Sequence, residues 1–173
     1  MVYKENNRYF RVYVAECETP GYFYVGSTVR LPHEREQEHR EGWGSHWTSR
    51  HGFKRMIVME MVPGPACDRL EDDLTVWLQC RYGWRFVRGG KRTATQEHKL
   101  RRWLHPCNQL LGPTDVLPLH SRPMGKFPAE LRRLIDAFEM VCGLEDPNHL
   151  NADVEPEPIF RSVPDHRHHV LSR

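Results

Sequence analysis

The strongest constraint on this chain is a pair of aromatic strand segments joined by a tight turn. From Phe10 to Cys17, the residues Phe10, Val12 and Val14 alternate with Arg11, Tyr13 and Ala15. A two-residue period of this kind marks a strand whose two faces meet different surroundings. Glu18-Thr19-Pro20-Gly21 follows, and Pro-Gly is turn chemistry. Tyr22-Phe23-Tyr24-Val25-Gly26 then reads as a second strand. Together they predict a β-hairpin with a loop of about four residues.

The next segment has no apolar anchor. Pro32 suits the first turn of a helix and Gly42 suits its end. Between them, His33-Glu34-Arg35-Glu36-Gln37-Glu38-His39-Arg40-Glu41 contains no apolar residue. A helix normally docks through an apolar stripe. This one is either a solvated surface helix or a helix whose polar face lines something that needs charge. Arg35 and His39 are four apart, hence on one face.

The rest of the chain sets the fold class. Gly42 to Gly52 reads as a polar loop carrying Trp43 and Trp47. Lys54 to Val62 contains Met-Ile-Val-Met-Glu-Met-Val, a third strand. Pro63-Gly64-Pro65 breaks the chain, and Ala66 to Tyr82 reads as a helix ended by Gly83. Leu70, Leu74, Trp77 and Leu78 form its stripe, with Glu71 beside it. The order β-β-α-β-α predicts an α+β fold, a small three-stranded antiparallel sheet flanked by helices. Thr95 to Leu104 reads as a further helix, and Gly112 to Gly125 as a linker or extended arm. A helix beginning at Lys126-Phe127-Pro128 carries the stripe Leu131, Leu134, Ile135 and Phe138, and Gly143 stops it. The expected organisation is a core over residues 1–90, a basic helical extension over 91–143 and a polar tail over 144–173. The tail's composition predicts disorder.

Length and charge bound the function. The 173 residues make one domain, or one core plus an extension. No apolar run approaches the ~20 residues that span a bilayer. The start, MVYKENNRYF, lacks a signal-peptide layout. Five cysteines without a CxxC pair predict reduced thiols, hence a cytoplasmic protein with no membrane partner. A formal net charge of +2 disfavours a nucleic-acid partner at first sight. Its distribution reverses that. Residues 81–102 hold Arg81, Arg85, Arg88, Lys91, Arg92, Lys99, Arg101 and Arg102 against Glu97 alone, masked by acidic flanks. Such a local excess engages phosphates whatever the total.

Five of these features together resemble a known family. Arg11-Val12-Tyr13 and Tyr24-Val25-Gly26-Ser27-Thr28, with ten residues between the tyrosines, look like the two signature elements of the GIY-YIG nuclease superfamily. Arg35 and His39 are similar to its first-helix arginine and histidine, and Glu71, shortly after Ala66, to its metal-binding glutamate. Arg11 stands where the first triplet has glycine, and valine replaces isoleucine in both triplets. A counterpart to the asparagine of some members has only Gln79 and Asn108 as candidates. The resemblance covers residues 9–90 or so and implies a divalent-metal-dependent endonuclease acting on DNA, with RNA less expected.

The resemblance implies catalytic roles for Tyr13, Tyr24, Arg35, His39 and Glu71. Glu71 would hold Mg²⁺ or Mn²⁺, and Arg35 would neutralise the scissile phosphate through its planar donors. Tyr13 or His39 would activate water. The phenol is the family's proposed base, and the imidazole has an intrinsic pKa nearer neutrality. Arg81, Arg85, Arg88, Lys91 and Arg92, interleaved with Trp84 and Phe86, are candidate nucleic-acid contacts. Trp43 and Trp47 either stack bases or pack in the core. Each residue taken singly also fits a bland role: strand tyrosines, solvated helix charges, a surface glutamate. The alternative function is an inactive nucleic-acid-binding module on the same core. Oligomeric state is not legible.

Overall fold

The computed structural model describes residues 8–94, 99, 102, 104, 112, 115–117 and 128–142. Strand β1 runs Tyr9–Cys17 and β2 runs Phe23–Thr28. They pair antiparallel with Tyr13 opposite Gly26 and Ala15 opposite Tyr24. The turn closes through Cys17 N–H donating to Tyr22 O at 2.9 Å, with Gly21 in the left-handed region at φ 77°. Helix α1 covers Pro32–Arg40, and Gly42 leaves it at φ 85°. Strand β3 covers Phe53–Pro63 and pairs antiparallel with β1. Helix α3 runs Gly64–Tyr82.

Two expectations are corrected. The polar stretch after α1 is not a plain loop. It holds a short helix, α2, over His46–His51, because the Ser45 side chain caps it by accepting from Thr48 N–H. The sheet has four strands rather than three, in the order β3-β1-β2-β4, and it is mixed. The fourth, β4, is only Val87–Arg88 and lies parallel to β2. Two residues carry no readable period, so nothing in the sequence marks them as a strand.

Gly89 explains why β4 fits. A Cβ there would stand 2.5 Å from Val25 O and 2.6 Å from Thr75 Oγ1. Only glycine lets the chain pass between β2 and α3 at this point. The close approach that Gly89-Gly90 permit is thus made to the protein's own helix and sheet. Gln79, buried in α3, donates to Val87 O at 3.2 Å and ties β4 down.

The sheet is covered on both faces. Val12, Val14, Phe23, Val25, Val58 and Val62 pack against Leu70, Leu74, Trp77, Leu78 and Tyr82 of α3. The same core takes in Leu131, Leu134, Ile135 and Phe138 of the last described helix, α4, over Ala129–Cys142. Phe138 meets the rings of Phe23, Trp77 and Tyr82 at centroid distances of 5.6–6.0 Å. Glu139 pairs with the buried Arg81 at 3.0 Å. A boundary at residue 90 therefore does not detach α4 from the core. The opposite face, with Tyr13, Ala15, Tyr24 and Phe53, lies under α1 and α2.

Among the described residues no helix is long and apolar enough to cross a membrane, and no disulfide forms. Most of the Thr95–Leu104 helix, Asn108, most of the Gly112–Gly125 arm and the 144–173 tail lie outside the described residues.

Truncating Phe138 to alanine tests the place of α4. Removing a fully buried ring from a shared core should destabilise the protein by about 3–5 kcal/mol. Urea denaturation would read that as one cooperative transition at lower midpoint. A loss well under 1 kcal/mol would mean that α4 is an appendage.

Candidate active site

The β1–β2 register builds the site. Tyr13 lies opposite Gly26, and a Cβ on Gly26 would stand 2.5 Å from the Tyr13 hydroxyl. The missing side chain leaves the phenol room to lie across the neighbouring strand. Tyr24 is one cross-strand position along, on the same face, with its ring 6.3 Å from that of Tyr13.

Helix α1 reaches this face through polar groups alone. Arg35 Nε donates to Tyr13 Oη at 2.8 Å. Its other nitrogens donate to Glu38 at 2.6 Å and to Gly44 O at 2.9 Å. His39 is 2% exposed, and its Nε2 lies 2.9 Å from Tyr13 Oη. The imidazole stacks on Phe53 at 5.2 Å and sits edge-on to both tyrosines. Gly44 fits because a Cβ would stand 2.1 Å from His39 Nδ1. His39 Nδ1 lies 2.7 Å from Thr48 Oγ1, whose hydroxyl also lies 3.2 Å from Ser45 O and 2.9 Å from Ser45 Oγ.

Glu71 projects from the first turns of α3. It accepts from Gly90 N–H at 3.0 Å and from the Ser27 hydroxyl. Its charge acts on both Tyr13 and Tyr24. Burial raises the Glu71 carboxyl above its ordinary value, and the Ser27 and Gly90 donors pull it back. The neighbouring Asp72 accepts from Lys91 N–H and pairs with Arg92.

Protonation in the site follows burial. It raises the Tyr13 phenol, and the Arg35 guanidinium only partly opposes that. It raises Tyr24 as well, with the Glu71 charge adding to it. Burial, then the Arg35 charge, lower His39 to about 4, against a small opposing effect of Glu38. Both Tyr13 and His39 are therefore neutral near pH 7.

Four of the five candidates from sequence thus gather around Tyr13 on one face of the β1–β2 pair, and the charge of the fifth, Glu71, reaches both tyrosines. The basic segment does not do the same. Arg81 is 1% exposed, with Nε on Tyr82 Oη at 3.2 Å and its guanidinium over the Trp77 and Tyr82 rings. Arg88 is buried and donates to the carbonyls of Trp84, Arg85, Val87 and Ala94, with its guanidinium 4.4 Å over Trp47. Arg92 is buried on Asp72. Rather than offering a basic surface, Arg81 ties α3 to Glu139 of α4, and Arg88 and Arg92 hold the chain around β4. The tight turn there leaves carbonyls without ladder partners, and arginine's fork of donors satisfies them. Trp84, Phe86 and Trp47 are buried too. Lys91 is exposed and Arg85 half-buried. Trp43 is 81% exposed on a backbone held by its N–H donating to Glu38 O at 2.8 Å.

Glu38, Gly44, Ser45 and Thr48 were not among the sequence candidates. A serine at a helix start is an N-cap signal, and it could have marked Ser45. Among the described residues no group of three His, Cys, Asp or Glu side chains gathers. Gln79 serves β4, and Asn108 is not described. Comparison of the chain with protein-family models, with curated proteins and with solved structures found no match.

His39 gives the site a measurable pH signature. Its ordinary value is 6.5, and it titrates at about 4 in the fold. Between those values the unfolded chain binds more protons, so stability rises with pH through this window and is lost as pH falls through it. The full difference is on the order of 3 kcal/mol. Arg35, Glu38, Tyr13 and Tyr24 are the titratable and charged groups facing the ring. His39→Gln should flatten the urea-derived stability curve between about pH 4 and about pH 6.5. An unchanged slope would assign it to another group.

Proposed function

We propose that this chain is a divalent-metal-dependent endonuclease with a GIY-YIG-like core, hydrolysing DNA phosphodiester bonds. The observation that carries the reading is the single hydrogen-bonded chain Arg35–Tyr13–His39, with the Glu71 charge acting on both tyrosines.

The residues fit a single-carboxylate cation site. Glu71 offers a hard oxygen ligand, partly desolvated, which a cation would favour. Among the described residues no group of three His, Cys, Asp or Glu side chains gathers there, so substrate oxygens and water would complete the shell. A bound Mg²⁺ or Mn²⁺ supplies positive charge to the phosphoryl and leaving oxygens.

The chain's own groups handle the proton. Arg35 is half-buried at the edge of the site, and its charge suits a phosphate. A neutral phenol is a poor base, so Tyr13 must lose its proton as it takes one. Tyr13 is fully buried in the free protein, so water would reach its Oη only once Arg35 turns from it to the phosphate; as that water gives a proton to Tyr13 Oη, Tyr13 passes its own to His39 Nε2. The resulting hydroxide bonds to phosphorus, and the P–O bond to the leaving oxygen breaks. That oxygen takes a proton from solvent, and His39 returns its proton through Tyr13. Tyr13 and His39, rival bases on sequence grounds, thus form one relay. The anionic phosphate favours the transient imidazolium by offsetting the Arg35 charge, which adds to burial in holding His39 low. Tyr24 lines the path beside Tyr13. Trp43, exposed next to the Gly44 carbonyl that Arg35 holds, offers a base-stacking surface.

Incubation with single-stranded, duplex and branched DNA plus Mg²⁺ tests the reading. Wild type should cut at least one substrate. Glu71→Gln should lower cutting by roughly a hundredfold or more while keeping DNA binding, which should weaken steeply with salt. Tyr13→Phe should be similarly impaired. Undiminished cutting by folded Glu71→Gln would remove the cation role. Binding without cutting in wild type would favour an inactive binding module.

A further inference from the structure

The hydroxyl of Thr48 has no place in the relay as described, yet it touches the far nitrogen of His39. The two ends of this hydrogen-bonded chain have fixed polarity. Arg35 Nε can only donate, and Ser45 O can only accept. Between them lie Tyr13 Oη, the two ring nitrogens of His39 and Thr48 Oγ1, which also lies 2.9 Å from the Ser45 hydroxyl.

Only one tautomer of His39 satisfies every link. With the proton on Nδ1, the chain runs one way: Arg35 to Tyr13, Tyr13 to Nε2, Nδ1 to Thr48, Thr48 to Ser45 O. With the proton on Nε2, Tyr13 Oη would receive from both sides. Its own O–H would then point at no acceptor among the described residues, although Tyr13 is 0% exposed. Thr48 would meanwhile turn its single proton from Ser45 O, which keeps the Ser49 N–H, to Nδ1, so the cost falls at Tyr13. Unmade buried hydrogen bonds are the expensive kind, so the first arrangement prevails.

We propose that Thr48 is a positioning residue: it accepts the Nδ1 proton of His39 and so reserves Nε2 as the acceptor for the Tyr13 proton. The hydroxyl is held for this by the cap of α2, since Ser45 Oγ lies 2.9 Å from it and also accepts Thr48 N–H at 3.1 Å. The catalytic consequence rests on the nuclease reading above. The tautomer itself does not.

The test separates the two. Long-range ¹H–¹⁵N correlation on the full chain without DNA, with the His39 signals identified by their loss in His39→Gln, should show the proton on Nδ1 in wild type. Thr48→Val should lose this preference, giving an Nε2-protonated or mixed ring, and Thr48→Ser should restore it. In the cleavage assay, Thr48→Val should lower kcat roughly ten- to a hundredfold with KM unchanged, and Thr48→Ser should recover it. Wild-type His39 protonated on Nε2 would overturn the proposal, and that measurement needs no variant to fold. So would a Thr48→Val protein that keeps both tautomer and rate. If wild type fails to cut DNA at all, the spectra still decide the tautomer while the nuclease reading falls.

Discussion

Helix α1 has no apolar side chain with which to sit on the sheet, and everything around the site follows from how it docks instead. Arg35, Tyr13 and His39 hold it through hydrogen bonds in a buried place, and Arg40 covers the Phe53 ring at 5.2 Å. Such a joint is stable only when each polar group has its partner, because an unpaired one loses its full hydration with no return. That condition explains the surroundings. Gly26 and Gly44 clear space for the two rings, Glu38 and the Gly44 carbonyl complete Arg35, and the capped turn of α2 supplies Thr48.

Much of this was legible beforehand, for a physical reason. The hairpin, β3 and the stripes of α3 and α4 announce themselves because burial imposes a period, and Leu131, Leu134, Ile135 and Phe138 all reach the core. The polar stretch His33–Glu41 left two readings open, and Arg35 and His39 turn out to dock it on the sheet through hydrogen bonds. What sequence could not provide was the size of the sheet, since Val87–Arg88 is too short to have a pattern. Nor could it choose between Tyr13 and His39, which lie far apart in the chain. Their shared hydrogen bond, and the nitrogen that makes it, exist only in three dimensions.

Three arginines of the basic segment were misread by a sound rule, while Lys91, Lys99 and Arg102 are exposed. Clustered arginines are usually a phosphate-binding surface. Here the chain doubles back parallel to β2 through a tight turn, and Arg88 meets carbonyls of Trp84, Arg85, Val87 and Ala94. Arg81 and Arg92 are fixed by Glu139 and Asp72. Counting charge along a sequence cannot tell an arginine facing solvent from one that finishes the backbone's hydrogen bonds.

The bond from Gly90 N–H to Glu71 has a mechanical side. Gly90 sits in the left-handed region at φ 49°, and Lys91, its successor, is exposed while its own amide holds Asp72 at 3.3 Å. A single peptide unit thus separates the solvent surface from the donor on the site carboxylate. The outer edge strand there is only two residues long, so its place is set by Gln79, Arg88 and Arg92 rather than by a long ladder. Successive residues Gly90, Lys91 and Arg92 thus fasten to Glu71 and Asp72, so the edge of the sheet is a clasp on the first half of α3.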